Sequence, residues 1–185
     1  MRIIGGTFKG KKLFLPSDKM TRPLKDLVKE SIFNLIKHSK KINIDIEGSK
    51  ILDLFAGSGS FGLECLSRNA SKIVFFENYP QALKVLEKNI SLFPNDKCEI
   101  YNSNCFKFLS SDNIFKDKFD IIFLDPPYQE LKINEIVENI LVRNLLRSNG
   151  FIIIHRHKKD TVKITQKLKV FETRSYGISK VYFGN

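Results

Sequence analysis

Tryptophan is absent from the 185-residue sequence, and cysteine and histidine occur only three times each. The cysteines, Cys65, Cys98 and Cys105, are odd in number and lack the spacing of a metal site, which argues against a disulfide framework and favours free thiols in a reducing compartment. His155 and His157 alternate without a nearby acid or cysteine cluster, so we expect no metal site. No apolar run approaches the length of a membrane span, and the first ten residues lack a signal-peptide core. We therefore expect a cytoplasmic protein.

Acidic residues are scarce at both ends of the chain. Residues 1–50 carry 12 Lys and Arg against 5 Asp and Glu, and residues 151–185 carry 8 against 2, whereas the residues between them carry 11 against 13. Cationic ends around a slightly acidic centre suit a polyanionic partner, because each phosphate contact releases counterions and adds affinity. A generic lysine-rich surface is the alternative explanation. The length is that of one domain with a substantial core.

One short motif follows an apolar strand. The run Ile121–Leu124 leads into Asp125, Pro126, Pro127 and Tyr128. Proline has no backbone N–H, so the pair stops the strand and leaves carbonyl oxygens free at its carboxyl end, where open α/β sheets bind ligands. Asp125 and the Pro126 carbonyl form two neighbouring acceptors, and Tyr128 offers a stacking ring. The motif favours a planar substrate with an exocyclic amine, although a Pro-Pro turn with a surface tyrosine is an equal reading of these four residues alone.

A second motif begins at the strand Ile51–Phe55 and runs through Gly57, Gly59 and Gly62 into a helix-like stretch. An acid, Glu77, ends the next strand, at the place where an acid typically binds ribose hydroxyls. The spacing therefore predicts a nucleoside-containing cofactor, against the alternative of a turn with packing glycines. An acid inside the first strand, Asp53, would repel a pyrophosphate and attract a cation. S-adenosylmethionine, which has an amino group and a sulfonium but no phosphate, fits better than NAD or FAD.

Strands and helices alternate along most of the chain, which indicates a parallel, doubly wound sheet. Residues 1–20 are predicted to form a basic arm with one or two short strands, followed by a helix capped by Thr21 with Pro23 in its first turn. The predicted strands are Ile51–Phe55, Ile73–Phe76, Cys98–Tyr101, Ile121–Leu124 and Phe151–Ile154, and the predicted helices between them are Ser60–Arg68, Pro80–Leu92 and Ile133–Leu146.

The two motifs together resemble an amino-methylating, S-adenosylmethionine-dependent methyltransferase. The N-terminal stretches Arg2–Gly6, Lys9–Leu13, 21–23 and Val28–Asn34, with the later pair Tyr176-Gly177, resemble the bacterial RsmD family, and this resemblance covers essentially the whole chain. The family methylates N2 of one guanine in 16S ribosomal RNA. The resemblance implies a Rossmann-like class I α/β fold, with a mainly parallel seven-stranded sheet closed by an antiparallel pair at Val170–Tyr176 and Ile178–Phe183. It also implies an RNA-contacting arm and helix in residues 1–40 and a catalytic domain in residues 41–185.

The resemblance assigns roles to individual residues. Catalysis is expected at Asp125, Pro126, Pro127 and Tyr128. Phosphate contacts to RNA are expected from Arg2, Lys9, Lys11, Lys12 and Arg22. The cofactor is expected to contact Asp53, Phe55, Ala56, Gly57, Gly59, Glu77, Asn78, Asn104, Cys105 and Phe106. Two positions depart from the family pattern, since Asn104 and His155 stand where acids are usual. The amide oxygen of Asn104 can still accept a hydrogen bond from an adenine amine; the effect of His155 does not follow from the sequence.

Three other functions are compatible with parts of this pattern. A DNA adenine-N6 methyltransferase uses the same Asp-Pro-Pro-Tyr chemistry, but the chain has no evident DNA-recognition domain. A protein-glutamine methyltransferase usually has Asn at the position of Asp125. A noncatalytic RNA-binding protein on this scaffold has no need of three acids at strand ends, namely Asp53, Glu77 and Asp125. The expected substrate is therefore 16S ribosomal RNA, naked or within a partly assembled small subunit, bound by a monomer.

Overall fold

A computed structural model of the chain describes residues 1–18, 24–94, 96–111, 115 and 117–185. The strands in this part of the chain are β1 (Lys50–Asp53), β2 (Lys72–Phe76), β3 (Cys98–Tyr101), β4 (Phe119–Leu124), β5 (Leu146–His157), β6 (Val170–Tyr176) and β7 (Ser179–Gly184). The helices are α1 (Asp26–His38), α2 (Ser60–Ser67), α3 (Pro80–Ile90), α4 (Cys105–Ser110) and α5 (Ile133–Val142). None of the described helices is long and apolar enough to cross a membrane.

The strands form one seven-stranded sheet in the order β3-β2-β1-β4-β5-β7-β6. The five strands from β3 to β5 are parallel, and β7 is antiparallel to both of its neighbours, β5 and β6. The chain leaves β1 toward β2 on one side and returns to β4 on the other. The strand order therefore reverses beside β1, and in such sheets the ligand crevice lies at the carboxyl ends of the strands at this point. The predicted fold class is confirmed.

Each face of the sheet is covered by a separate hydrophobic cluster, because successive residues of a strand point to opposite faces. Ile51, Ile121 and Phe123 belong to the cluster under the arm and helices α1 to α3. Leu52 and Ile122, which alternate with them, belong to the cluster under α4 and α5. The apolar strands are thus buried on both sides, as expected of a parallel sheet.

Several boundaries differ from the predicted ones. Helix α1 begins at Asp26, later than predicted; the predicted cap Thr21 and the neighbouring Pro23 lie outside the described residues. Helix α5 ends at Val142 rather than Leu146, because Asn144 adopts a positive φ of 52° that stops it. Strand β5 begins at Leu146, well before Phe151, and a register shift against β4 accommodates its polar first residues. Helix α4 was not predicted, and β7 begins at Ser179 rather than Ile178.

The N-terminal arm is docked against α2 and α3. In place of the expected strands it forms an isolated bridge between Arg2 and Lys12, while Ile3 and Leu13 are buried in the core. The Ile4 N–H donates to a carboxylate oxygen of Glu64 at 2.8 Å, and Glu64 also pairs with Lys29, both side chains being fully buried. A buried charge must be paired and hydrogen-bonded to be tolerated, so these contacts hold the arm in one position on α2.

Candidate active site

A cavity of about 430 Å³ opens at the carboxyl ends of the central strands. Its lining includes all four residues of the Asp-Pro-Pro-Tyr motif. It also includes every residue expected to contact the cofactor except Gly59, namely Asp53, Phe55, Ala56, Gly57, Glu77, Asn78, Asn104, Cys105 and Phe106. The fold therefore brings the two sequence motifs, which are about seventy residues apart, to the ends of adjacent strands at one cavity.

The glycine-rich turn connects β1 to α2 at the floor of this cavity. Gly59 precedes the first residue of α2 and has a φ of 82°, a backbone conformation that residues other than glycine rarely adopt. A Cβ on Gly62 would lie 2.3 Å from the ring of Phe75, so this glycine allows α2 to pack on the sheet. Gly59 thus shapes the turn, Gly62 allows the packing of α2, and Gly57 is the glycine of the motif that lines the cavity.

Asp53 is a buried acid without a hydrogen-bonding partner. Its side chain ends β1 with 1 % exposure, and neither carboxylate oxygen has a partner among the described residues. Burial, and then the negative charge of Asp125, raise the pKa of Asp53 to about 8. The backbone N–H groups of Gly62 and Phe55 oppose this rise in pKa without reaching hydrogen-bond geometry. A ligand that brings a cationic N–H donor into the cavity would satisfy this carboxylate, so the site fits a cation and not a phosphate.

Glu77 joins the glycine-rich turn to the end of β2. One carboxylate oxygen accepts the Gly57 N–H at 2.7 Å, and the other accepts the N–H groups of Asn78 and Tyr79 at 2.9 and 2.8 Å. The first of these oxygens has a second lone pair for a ligand hydroxyl. The Tyr79 hydroxyl also donates to Asp18, which brings the end of the arm to this side of the cavity. Glu77 therefore has a structural role in addition to the expected ribose contact.

Asn104 caps helix α4. Its amide oxygen accepts the N–H groups of Phe106 and Lys107 at 2.9 and 3.3 Å. The sequence prediction assigned this oxygen to the adenine amine, but it already accepts two hydrogen bonds from the backbone. The NH2 group is therefore the polar group of the side chain that remains for a ligand. Beside it, burial raises the pKa of the Cys105 thiol to about 12, and the rings of Phe55 and Phe106 meet edge-to-face at 6.2 Å. This apolar wall of the cavity, with one amide donor beside it, suits the face of a flat heterocycle.

The Asp-Pro-Pro-Tyr motif lines the same cavity from the end of β4. Asp125 is partly buried, and its Oδ1 lies 2.7 Å from Nδ1 of His155 on the neighbouring strand β5. Within the described part of the chain no backbone donor reaches the Pro126 carbonyl. The Tyr128 ring lies edge-to-face with His157 at 5.0 Å and is partly exposed to the cavity. An acid, a carbonyl and an aromatic ring therefore lie together in the cavity lining, and their catalytic roles stay predictions.

Arg156 holds the loop that follows the motif, and its role was not anticipated from the sequence. The guanidinium is 1 % exposed, pairs with Asp160, and donates to the carbonyls of Pro127, Tyr128 and Glu130 at 3.2, 3.2 and 2.8 Å. Its planar fork satisfies several acceptors in fixed directions, so the loop has a defined shape. The available signal was a charged residue at the end of an apolar strand with an acid four residues later.

Four of the five basic residues expected to bind RNA, Arg2, Lys9, Lys11 and Lys12, lie on the arm and are not among the residues that line the cavity. Lys9 and Lys12 are exposed, and Arg2 is 67 % exposed opposite Asp26. Lys11 differs, because its ammonium donates to the Leu92 carbonyl and lies over the rings of Phe8 and Phe93. Arg22 lies outside the described residues.

Comparisons with known proteins agree with this geometry. The family described as conserved hypothetical protein 95 matches residues 1–185. Ribosomal RNA small subunit methyltransferase D of Haemophilus influenzae is 31 % identical over 96 % of this chain and 90 % of its own length, and that of Escherichia coli K12 is 34 % identical over 82 % and 69 %. The solved structure of the E. coli protein yhhF superposes with a TM-score of 0.83 at 26 % identity, covering 100 % of this chain and 96 % of that one. With its fold, its cavity and its two motifs in the expected places, the chain belongs to the RsmD family of ribosomal RNA methyltransferases.

Proposed function

We propose that the protein transfers a methyl group from S-adenosylmethionine to the exocyclic N2 amine of one guanine in 16S ribosomal RNA. The observation that carries this proposal is the juxtaposition, in one cavity, of the buried acid Asp53, which has no hydrogen-bonding partner among the described residues, with the acceptors of the Asp125-Pro126 segment. The first acid suits a cationic cofactor, and the second segment suits a neutral amine. The relatives named ribosomal RNA small subunit methyltransferase D supply the RNA class.

The cofactor is assigned to the half of the cavity formed by β1, β2 and α4. Asp53 would hold its amino group, Glu77 its ribose hydroxyls, and the apolar wall that includes Phe55 and Phe106 its adenine. When bound, S-adenosylmethionine supplies an electrophilic methyl group on a sulfonium. A neutral Asp53 in the free protein would lose its proton as it pairs with the ligand amine, since its pKa of about 8 depends on burial without a cation.

The target base is assigned to the motif half of the cavity. The N2 amine of guanine is a poor nucleophile, because its lone pair is delocalised into the ring. Hydrogen bonds from its two N–H groups to Asp125 and to the Pro126 carbonyl would localise that lone pair and stabilise the positive charge that develops on nitrogen. The amine would gain the methyl group as the bond between methyl and sulfonium breaks, and it would lose one proton, which the Asp125 carboxylate is placed to accept. Tyr128 would stack on the base and fix its approach, after the base has left its helical stack.

The RNA is assigned to basic residues of the segment 1–40, with further contacts from the basic C-terminal segment, and residues 41–185 are assigned to the catalytic domain. Lys9, Lys12 and Arg2 are exposed on an arm whose backbone is tied to α2, the helix that follows the cofactor turn. Phosphate contacts on such a rigid arm would orient the RNA while the cavity selects the base. We propose that the enzyme acts in this way as a cytoplasmic monomer.

The proposal is tested by methyl transfer to unmodified small-subunit RNA, naked and protein-bound, followed by nucleoside analysis. We expect N2-methylguanosine from the wild type, and a loss of product in Asp125→Ala with cofactor affinity by calorimetry nearly unchanged. Tyr128→Phe should be much milder than Tyr128→Ala, because the ring and not the hydroxyl provides the stacking. N6-methyladenine formed on DNA would support the adenine methyltransferase instead, and RNA binding without calorimetric cofactor binding would support the noncatalytic RNA-binding protein.

A further inference from the structure

His155 is the residue whose contact with the motif the proposed mechanism leaves unexplained. Its ring is 6 % exposed, it lies in β5 directly after the residues that pair with β4, and its Nδ1 is 2.7 Å from Oδ1 of Asp125. The neighbouring residues Leu124 and Ile154 are paired in the sheet, which places Asp125 and His155 side by side. The contact therefore follows from the strand register and not from a loop conformation.

The position of the proton in this contact follows from the chemistry of the two groups. An ionised carboxylate can only accept, so the proton of the 2.7 Å hydrogen bond belongs to Nδ1 of His155. Nε2 is buried and has no partner among the described residues. In the neutral tautomer with its proton on Nδ1, no buried N–H group is left without an acceptor at Nε2. The tautomer with its proton on Nε2 would leave such a group unpaired and would offer Asp125 no donor. The geometry thus selects the Nδ1–H tautomer.

The groups around this pair explain why Asp125 needs a donor. Asp53, Glu77 and Glu130 line the same cavity, Tyr128 lies 6.2 Å from the His155 ring, and no lysine or arginine contacts the Asp125 carboxylate among the described ion pairs. The charge of Asp125 contributes to the raised pKa of Asp53. His155 is therefore the hydrogen-bond donor that the described side chains place against Asp125.

We propose that His155 is a positioning residue, which donates from Nδ1 to Oδ1 of Asp125 and so directs the other oxygen, Oδ2, to the N–H of the target amine. The assignment of the amine rests on the proposed function, whereas the His155–Asp125 hydrogen bond does not. Without the donor, both oxygens of Asp125 compete for the amine and the carboxylate loses its fixed orientation. The methyl-transfer rate should then fall, while the affinities for cofactor and RNA, which depend on other residues, should remain.

Two variants of similar size separate positioning from packing. The side-chain amide introduced by His155→Asn can place an N–H near the former Nδ1, whereas His155→Leu fills the same space without a donor. We expect His155→Leu to lower kcat by about 10- to 100-fold, the range for one hydrogen bond to a charged group, with KM and calorimetric cofactor affinity unchanged. His155→Asn should recover most of this loss. Equal kcat values in the two variants, whether both normal or both reduced, would overturn the positioning role.

A second measurement does not depend on activity. The chain has three histidines, so the ¹⁵N spectrum of labelled protein at about pH 8, where an unperturbed imidazole is neutral, can be assigned by single substitutions. We expect His155 to carry its proton on Nδ1 in the wild type and to shift toward the Nε2–H tautomer in Asp125→Ala. A wild-type His155 protonated only on Nε2 would overturn the inference. If the wild type fails to methylate small-subunit RNA, the proposed function fails, and the tautomer still decides the His155–Asp125 pair separately.

Discussion

Replacing Asp53 by Asn should make the free protein less sensitive to pH. The ordinary pKa of an Asp side chain is 3.8, and the pKa of Asp53 in the folded chain is about 8. It is raised because the side chain is buried beside the charge of Asp125 and has no hydrogen-bonding partner among the described residues. The folded state therefore binds a proton that the unfolded state releases above pH 3.8. A raised acid pKa costs stability progressively as pH rises from about 4 to 8, and no further above that range.

The size of the effect follows from these two pKa values. Each pH unit within the window costs about 1.4 kcal/mol, so between about pH 5 and pH 8 the wild type should lose about 3–4 kcal/mol relative to Asp53→Asn. The buried amide of the variant has a packing and desolvation cost of its own. That cost does not vary with pH, so the difference in slope isolates the titration of Asp53.

The measurement is the free energy of unfolding in urea at half-unit steps across this same pH window, without cofactor. Asp45→Asn, which removes an exposed carboxylate in the loop before β1, is the matched control. Parallel pH profiles for the wild type and Asp53→Asn would refute the reasoning, because Asp53 would then be ionised and satisfied in the free protein. Calorimetry of S-adenosylmethionine in buffers of different ionisation enthalpy should also detect proton release from the wild type at neutral pH, and none from the variant.

The remaining predictions concern the arm, the cap and the loop. The double variant Lys9→Gln, Lys12→Gln should bind RNA more weakly, with cofactor affinity unchanged. The slope of log affinity against log salt concentration should fall in magnitude by about 0.7–0.9 for each phosphate contact removed. The ammonium of Lys11 is bonded within the protein, so an equal effect of Lys11→Gln would contradict the assignment of RNA contacts to Lys9 and Lys12. Asn104→Ala should lower the free energy of unfolding in urea by about 1 kcal/mol, because the α4 cap is lost. Asn104→Asp should keep the cap and bind adenosine more tightly than the wild type. Equal adenosine affinities would mean that the side chain does not reach the base. Arg156→Met should lower the free energy of unfolding in the same assay by about 3–5 kcal/mol, since it leaves Asp160 unpaired. A loss below about 0.5 kcal/mol would show that the loop carbonyls have other donors.

Much of the candidate site could be predicted because it depends on local chain features. The apolar runs at β1 and β4 lead into Asp53 and Asp125, and parallel strands carry such residues to one edge of the sheet whatever the details of packing. The turn glycines preceded α2 for the same local reason. Boundaries that depend on a single backbone angle or a register shift, such as the positive φ of Asn144 and the early start of β5, have no periodic signal and were predicted incorrectly.

By itself the sequence determined the sheet, its ligand-binding edge and the residue types brought there, because hydrophobic periodicity and chain order are properties of the chain. Only the tertiary structure decided which polar atoms were already in use. The register of β4 against β5 gave Asp125 its His155 donor, the end of β5 placed Arg156 on the motif loop, and the start of α4 used the oxygen of Asn104. Such pairings depend on the distance and direction between two residues, since a hydrogen bond weakens when its length departs from the optimum by a few tenths of an ångström or its angle by tens of degrees. No spacing along the chain encodes that geometry.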